Sequence, residues 1–539
     1  MARLLLRIFV FCLFSRLGVA SAFGVTHSGN TLVVDTGADL VFSIDDRNGD
    51  LTSMRFHGSE LASMRFHGSE LASSEHKASQ VASGLGHAQV AVKTAGDVIV
   101  ISAQAGELIH YYLAKKGRNA LYMATYAPAL LPVGELRFVT RLDVKKFPKA
   151  DWGNDSNVGK AIEGNDVFLL PDGRTSSKFY SARPMIDDDL HGVHGPGVAV
   201  FMLTGNHELS SGGPFFKDIA TQKTQMTHEL YNYMYSSHTQ TEPFRPGLHG
   251  IYGLLFTTGE KPSATLTDVG FIHASLGLKG FVDQTERGTL SGVVTGMSDR
   301  PAAVVGLRNA SAEYWTRVDS QGRFTLTGVR QGHYQITLYD KEREVTQRTA
   351  EIQAGRQTQI ALAAQTLPGQ VIWQTGSPDG TPSGFRNARL LMSAHPSDRR
   401  MSPWTAADYL VGTASESDFP AAQWRDINSP TRIRFMLSRH DVHDLTLRIF
   451  ITLAQSGGRP QVSVNQRWTA PIPPASSQPA SRGITRGTFR GNNALFTFVL
   501  PASALQAGIN TLDINVASGQ KGTGFLSPGF VYDSIQLVR

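Results

Sequence analysis

Apolar residues in this chain recur mainly at every second position, in short runs that end at glycine-rich turns. Period-two alternation places alternate side chains on one face of a strand, whereas a helix needs a period near 3.6. In LVFSI (40–44), Leu40, Phe42 and Ile44 share a face, and Asp46-Arg47-Asn48-Gly49-Asp50 then reads as a hairpin turn. The same grammar holds from Phe23 to about Leu278, which predicts an all-β sandwich. At 539 residues the chain exceeds what one core supports, so two to four such units are expected.

The amino terminus, MARLLLRIFVFCLFSRLGVASA, has the basic start, apolar run and small-residue Ala20-Ser21-Ala22 site of an export leader over residues 1–22. Arg7 and Arg16 interrupt its apolar run, which argues against a spanning helix, and no later stretch is long and apolar enough to cross a bilayer. The expected protein is therefore secreted and not membrane-bound. The single cysteine, Cys12, leaves with the leader, so neither a disulfide nor a thiolate metal site is available afterwards. Loss of Arg3, Arg7 and Arg16 lowers the formal net charge from +6 to +3. That mild basicity suits a polyanionic substrate, and no long Lys/Arg run or zinc-finger spacing points to nucleic acid.

Three units are read: 23–279, 280–364 and 365–539. The middle one carries GTLSGVV, AAVVGL, GRFTLTGV and HYQITLYD, in which Phe324 and Leu326, then Tyr334, Ile336 and Leu338, alternate with polar residues. It reads as a small immunoglobulin-like sandwich without a cluster of site-like residues. The last unit includes DLTLRIFITL and FVYDSIQLV, with the Pro/Ser-rich stretch 471–481 as a loop inside it, and its length fits a jelly roll. One oddity stands in the first unit: SMRFHGSELA (53–62) recurs unchanged at 63–72. Two identical decamers do not make a solenoid, and an even-numbered insertion preserves strand parity. The second copy is expected to be dispensable.

Two stretches carry residues suited to chemistry. In YNYMYSSH (231–238), Tyr231, Tyr233 and Tyr235 fall on one strand face, while His238 lies five residues beyond Tyr233. An odd separation sends the two to opposite faces of an unbroken strand, so the chain must bend or bulge near Ser236-Ser237 for them to meet. In PDGRTSSKFYSARPMIDDD (171–189), Lys178 and Tyr180 read as sharing a strand face, with Asp187, Asp188 and Asp189 after a proline turn. The aspartates read as a solvated loop; consecutive carboxylates lack the spacing of a Ca²⁺ loop, although room is left for a structural Ca²⁺. His191 and His194 in HGVHG sit in what reads as a glycine-rich loop, with no fixed helical face for zinc.

Taken together, VVDTGADLVFSI with NGDLTSM, RTSSKFYSARPMIDDD, ELYNYMYSSHTQTE, FRPGLHGIYGLLFT and FLSPGFVYDSIQL resemble, in this order, the rhamnogalacturonan lyases of polysaccharide lyase family 4. The resemblance implies a galactose-mutarotase-like catalytic β-sandwich, a fibronectin-III-like domain and a jelly-roll carbohydrate-binding-like domain. It implies Lys178 and His238 as catalytic residues, and Tyr231, Tyr233, Arg137 and Arg141 as substrate contacts. The implied partner is rhamnogalacturonan I of pectin, acted on by a secreted monomer with no cofactor required for catalysis.

The residue types suit β-elimination. Removing the C5 proton of a galacturonate builds charge beside a carboxylate, and two arginine forks can offset it without metal. A lysine, with an ordinary pKa of about 10.4, must be shifted down by burial or nearby cations to act as base, and a histidine could protonate the departing oxygen. The reverse assignment, with histidine as base, stays open at this level. So do two rivals: a non-catalytic pectin-binding protein, and a glycoside hydrolase using two carboxylates.

Overall fold

A computed structural model of the chain describes residues 22–61, 78–82, 84–153, 159–236, 238, 240, 242–478, 483–486 and 492–539. The leader and the second decamer lie outside the described residues. Sheets dominate throughout, as the alternation predicts, and no described helix is long and apolar enough to cross a membrane.

In the first unit an eight-stranded antiparallel sheet faces a four-stranded one, with a five-stranded sheet of the first strands beside them. Leu40, Phe42 and Ile44 are fully buried, and the turn after them closes the expected hairpin onto Leu51–Phe56. The central strands of the large sheet, Leu108–Lys115 and Ala120–Ala127, are buried almost residue by residue instead of alternately. Their second face is roofed by the 264–281 segment, through Leu266, Val269, Phe271, Ile272, Leu276 and Leu278. Burial on both faces removes the need for a polar side.

The four-stranded sheet orders Thr221–Lys223, Thr227–Tyr235, Leu136–Asp143 and Gln80–Val81. Its inner face sends Phe138, Leu142, Leu230 and Met234 into the main core. Its outer face carries Arg137, Val139 and Arg141 opposite Tyr233, Tyr231 and Glu229. All of these but the half-buried Arg137 are buried although they point away from the core, which marks a second, covered surface.

The middle unit is a sandwich of a three-stranded and a four-stranded sheet, closed by Tyr334, Ile336 and Leu338 on the face their alternation indicates. The last unit packs two five-stranded sheets over a core that holds Leu445, Leu447, Ile449, Ile451 and Leu453. It also grips the first unit: Thr175 donates to Asp398 from its backbone nitrogen (2.7 Å) and hydroxyl (3.0 Å), and Arg399 N–H donates to the Gly173 carbonyl at 3.0 Å.

The first decamer is built into the fold, forming most of the Leu51–Phe56 strand and the Ser59–Glu60 strand paired with it. Beyond it, the Leu61 carbonyl accepts from Asp143 N–H at 3.1 Å and the Ser79 hydroxyl accepts from Arg141 N–H at 2.9 Å, so both ends of the intervening segment meet the same end of one strand. Deleting 63–72 leaves Ala62 and residues 73–77 to join them, a link that reaches roughly 20 Å when extended. The deletion variant should melt at the parent temperature or above, as read by thermal unfolding; loss of folding would show that the repeat is structural.

Candidate active site

A compact apolar platform lies on the outer face of the four-stranded sheet, made of Val139, Phe179, Ile219, Tyr231 and Tyr233. Tyr231 and Tyr233 stack at 5.6 Å with their planes 9° apart. Burial raises both phenol pKa values well above the ordinary value, so both tyrosines stay neutral hydrogen-bonding groups. Tyr231 OH donates to Glu229 and lies 3.1 Å from Gln222 Oε1, and Tyr233 OH accepts from Arg137 Nη1 at 2.7 Å. Tyr235 departs from the expected line of three. A register shift sets Leu136 opposite Tyr235 but Arg137 opposite Tyr233, and Tyr235 packs instead on Phe244.

Lys178 and Tyr180 do not share a strand face. Residues Lys178–Ser181 form a 3₁₀ turn, capped by the Ser177 hydroxyl, which accepts from Phe179 N–H. The turn sends Tyr180 OH toward Thr175 Oγ1 (3.2 Å), Phe179 into the platform, and Lys178 to the edge of the cleft, where it is about 29% exposed. Ser181 locks the turn in place: its hydroxyl accepts from Ala220 and Thr221 N–H and lies 2.7 Å from the Lys178 carbonyl. Lys178 Nζ is 3.6 Å from Asp166 and 5.6 Å from the centre of the Phe179 ring.

His238 meets the tyrosine face as the parity argument requires, because the strand ends at Tyr235. The imidazole stands 5.7 Å from the Tyr233 ring and 5.5 Å from Phe179, edge-on to the latter. Its Nδ1 lies 3.1 Å from Asp218 Oδ1, and Ser236 Oγ accepts from the His238 backbone. Burial opposes the imidazolium, but the hydrogen bond and charge of Asp218 outweigh it and hold the pKa above the ordinary value. Lys178 and His238 thus flank one aromatic ring from different loops.

Arg137 lies over the platform, 5.5 Å from the Tyr233 ring and 5.8 Å from the Tyr231 ring, with Glu135 at 3.0 Å. Arg141 is placed differently. It is 9% exposed and committed to Glu229 (3.0 Å) and the Ala78 carbonyl (2.6 Å), so it reaches the platform only through the Glu229 carboxylate that accepts from Tyr231. A further cation, which no motif in the sequence signals, comes from the last unit. Arg486, on the short helix Gly483–Arg486, stacks 4.9 Å from the Phe179 ring and bonds Asp166 at 2.6 Å, the same carboxylate that faces Lys178. More than 300 residues of intervening sequence hide that contact, and no periodicity could have revealed it.

Two of the three aspartates, Asp187 and Asp189, are exposed as a solvated loop would have them, while Asp188 turns inward. Asp187 pairs with Arg317, Asp188 lies 3.0 Å from His191 Nδ1, and the Asp189 carbonyl accepts from Thr204 N–H. HGVHG is not a loop but part of the Leu190–Gly195 strand. His191, fully buried, donates from Nε2 to the Tyr231 carbonyl at 3.0 Å, whereas His194 pairs with Asp151 at 2.7 Å. Among the described residues, no group of three or more His, Cys, Asp and Glu is placed to hold a metal ion.

Comparison with known proteins places this three-part β-sandwich chain, with its platform of tyrosines and cations, among the polysaccharide lyases. Residues 23–280 match the family described as rhamnogalacturonan lyase B, N-terminal; 286–360 match polysaccharide lyase family 4, domain II; and 371–537 match domain III of the same family. The chain belongs to polysaccharide lyase family 4, a family of enzymes. It is 40% identical over 524 residues, 96% of both chains, to the probable rhamnogalacturonate lyase A of Aspergillus fumigatus. It is 39% identical to rhamnogalacturonate lyase A of Emericella nidulans, again over 96% of each chain, and 37% identical to that of Aspergillus aculeatus over 96% of this chain and 97% of the relative.

Because Asp218 raises the folded-state pKa of His238, their pairing contributes stability that is complete below the ordinary histidine value of 6.5 and is lost as pH rises through the raised value. Asp218→Asn should lower the pKa of His238 and shift this window to lower pH. NMR titration of the imidazole reads the change, and an unaltered titration would remove Asp218 as its cause.

Proposed function

We propose that the protein is a secreted rhamnogalacturonan endolyase, acting as a monomer on the rhamnogalacturonan I backbone of pectin. It cleaves the (1→4) linkage between rhamnose and galacturonate by β-elimination, leaving an unsaturated galacturonate at the new non-reducing end. The observation that carries this reading is that Lys178 and His238 stand against the same Phe179 ring, with the Lys178 nitrogen 5.6 Å and the imidazole centre 5.5 Å from its centre. One group suited to take a proton and one suited to give it are thus brought to a single platform.

In this mechanism Lys178 removes the C5 proton, the C4=C5 double bond forms as the C4–O bond breaks, and His238 donates a proton to the departing rhamnose oxygen. Asp218 suits His238 to the acid role by favouring the protonated ring. Arg137, held over the platform by Tyr233 and Glu135, brings its guanidinium to the galacturonate carboxylate, and Arg486 adds a second cation over the same platform. Tyr231 and Tyr233 form the floor of the subsite. Arg141 acts one step back by fixing Glu229, which in turn fixes Tyr231. The scheme calls on no cofactor.

Lys178→Ala should lower turnover by a factor of about 10² to 10⁴ while leaving binding of rhamnogalacturonan fragments largely intact, because the tyrosine floor and arginines remain. Ultraviolet absorbance of the conjugated product measures the first and calorimetry the second. Near-normal turnover in Lys178→Ala, with His238→Ala inactive, would move the base to the histidine.

The two arginines separate in the same assay. Arg137→Lys keeps the charge but loses the fork and should raise KM as well as slow turnover, whereas Arg141→Lys should act mainly on stability. Equal effects of the two on KM would contradict this division of roles.

A further inference from the structure

The loop that carries His238, and the segment that leads into the Lys217–Asp218 strand, both meet the middle sandwich, where buried acidic side chains are exchanged in each direction. The first unit supplies Glu208, about 4% exposed, which bonds Arg287 at 2.6 Å and Arg330 at 2.9 Å and accepts from Tyr314 OH. The middle unit returns Glu313, about 1% exposed, which accepts from Ser210 Oγ at 2.7 Å and Gly213 N–H at 3.2 Å and lies 3.4 Å from Arg245. Arg245 also donates to the Asn309 carbonyl at 3.1 Å and to Glu242, and Glu242 accepts from Arg308 at 3.0 Å. Ser211 Oγ donates to the Pro243 carbonyl at 2.8 Å and ties the two loops together. Ring contacts seal the seam: His207 on Trp315 at 5.6 Å and Phe215 on Tyr339 at 5.3 Å.

Position along the chain gives this seam a functional sense. Gly213 lies five residues before Asp218, and Glu242 lies four after His238. Tyr231, Tyr233 and Arg137 need no such support, because their strands pair with each other and the former with Thr221–Lys223 inside the first unit. Asp218 is likewise held inside the first unit, on the Lys217–Asp218 strand paired with Arg183–Pro184, which leaves the loop of His238 as the part of the site held from a different domain.

We propose that the middle sandwich is a positioning element for the proton donor: Glu313 through Arg245, and Arg308 through Glu242, set where His238 stands relative to Asp218 and Lys178. Glu313 and Arg308 are positioning residues, since neither touches the site. The inference rests on Lys178 as the base and His238 as the acid of the elimination. Misplacing a reacting group by about 1 Å costs up to about 10²-fold in rate, whereas the tyrosine floor that binds substrate stays where it is.

The test uses the full chain with Arg308→Met and, separately, Glu313→Ala. NMR titration of labelled histidine, with His238 assigned by the signal missing in His238→Asn, is run beside steady-state kinetics. Each variant should show a His238 pKa shifted toward its ordinary value and a kcat about 10-fold lower, with KM within about 2-fold; Arg308→Lys should recover most of the loss. A merely structural seam would lower the melting temperature and leave the titration unmoved. If Glu313→Ala does not fold, Arg308→Met decides alone, since its side chain is 37% exposed and Glu242 keeps Arg245. A folded Arg308→Met protein with wild-type His238 titration and kcat overturns the proposal. If instead the elimination reading fails, the wild-type protein makes no unsaturated product, while the titration shift is still measurable.

Discussion

The contact on which the rest of the site depends is the burial of Phe179 against Val139, Ile219, Tyr231 and Tyr233 on the outside of a sheet. A β-sandwich normally turns polar side chains outward, and an uncovered aromatic surface there would be a liability. In this protein it is covered by cations. Arg137 and Arg486 lie over the rings, and each such contact contributes about 0.5–2 kcal/mol depending on how fully it is desolvated. The same rings bring Lys178 and His238 to a common distance. The packing that hides an outward apolar patch therefore also fixes the spacing of the groups that move protons.

Each part of the site comes from a different kind of structure. The tyrosines and Arg137 project from paired strands, the most rigid support a sandwich offers. Lys178 rides on a one-turn 3₁₀ segment that Ser181 pins to the Ala220–Thr221 backbone. Asp166 joins Lys178 to Arg486, and Thr175 joins the neighbouring turn to Asp398, so the last domain reaches the lysine side of the cleft. The middle domain holds the loops on the histidine side. The cleft lies on one domain but is completed by all three.

Fold class was legible because alternation reports burial directly. Leu40, Phe42 and Ile44, or Tyr334, Ile336 and Leu338, point to the core their spacing indicates. Legibility failed where a segment answers to more than one neighbour. The large sheet lost its alternation because the 264–281 segment covers its second face. The SSKFYS run imitates a strand, yet folds into a turn because the Ser177 hydroxyl captures Phe179 N–H. HGVHG has loop-like glycines but forms a strand whose Gly192 leaves room for the Phe201 ring, which a Cβ would meet at 2.5 Å. Phe179, Asp218, Asp166 and Arg486 carry no local signature at all; only long-range packing brings them to residues the sequence did single out. The bend before His238 was legible, because an odd spacing cannot be met on one face by an unbroken strand, whereas the register shift that turns Tyr235 away left no mark in the spacing.

Elimination and hydrolysis differ in whether water enters the product, and that difference tests the central claim most directly. Digestion of rhamnogalacturonan in water enriched in oxygen-18, followed by mass spectrometry of the fragments, reads it without reference to any variant. The account predicts fragments whose masses sum to that of the parent chain with no added water, the only heavy oxygen being that exchanged at the free anomeric hydroxyl of the new reducing end. Fragments heavier by one water and carrying oxygen-18 would identify a hydrolase, and would contradict Lys178 as the base and His238 as the acid of an elimination.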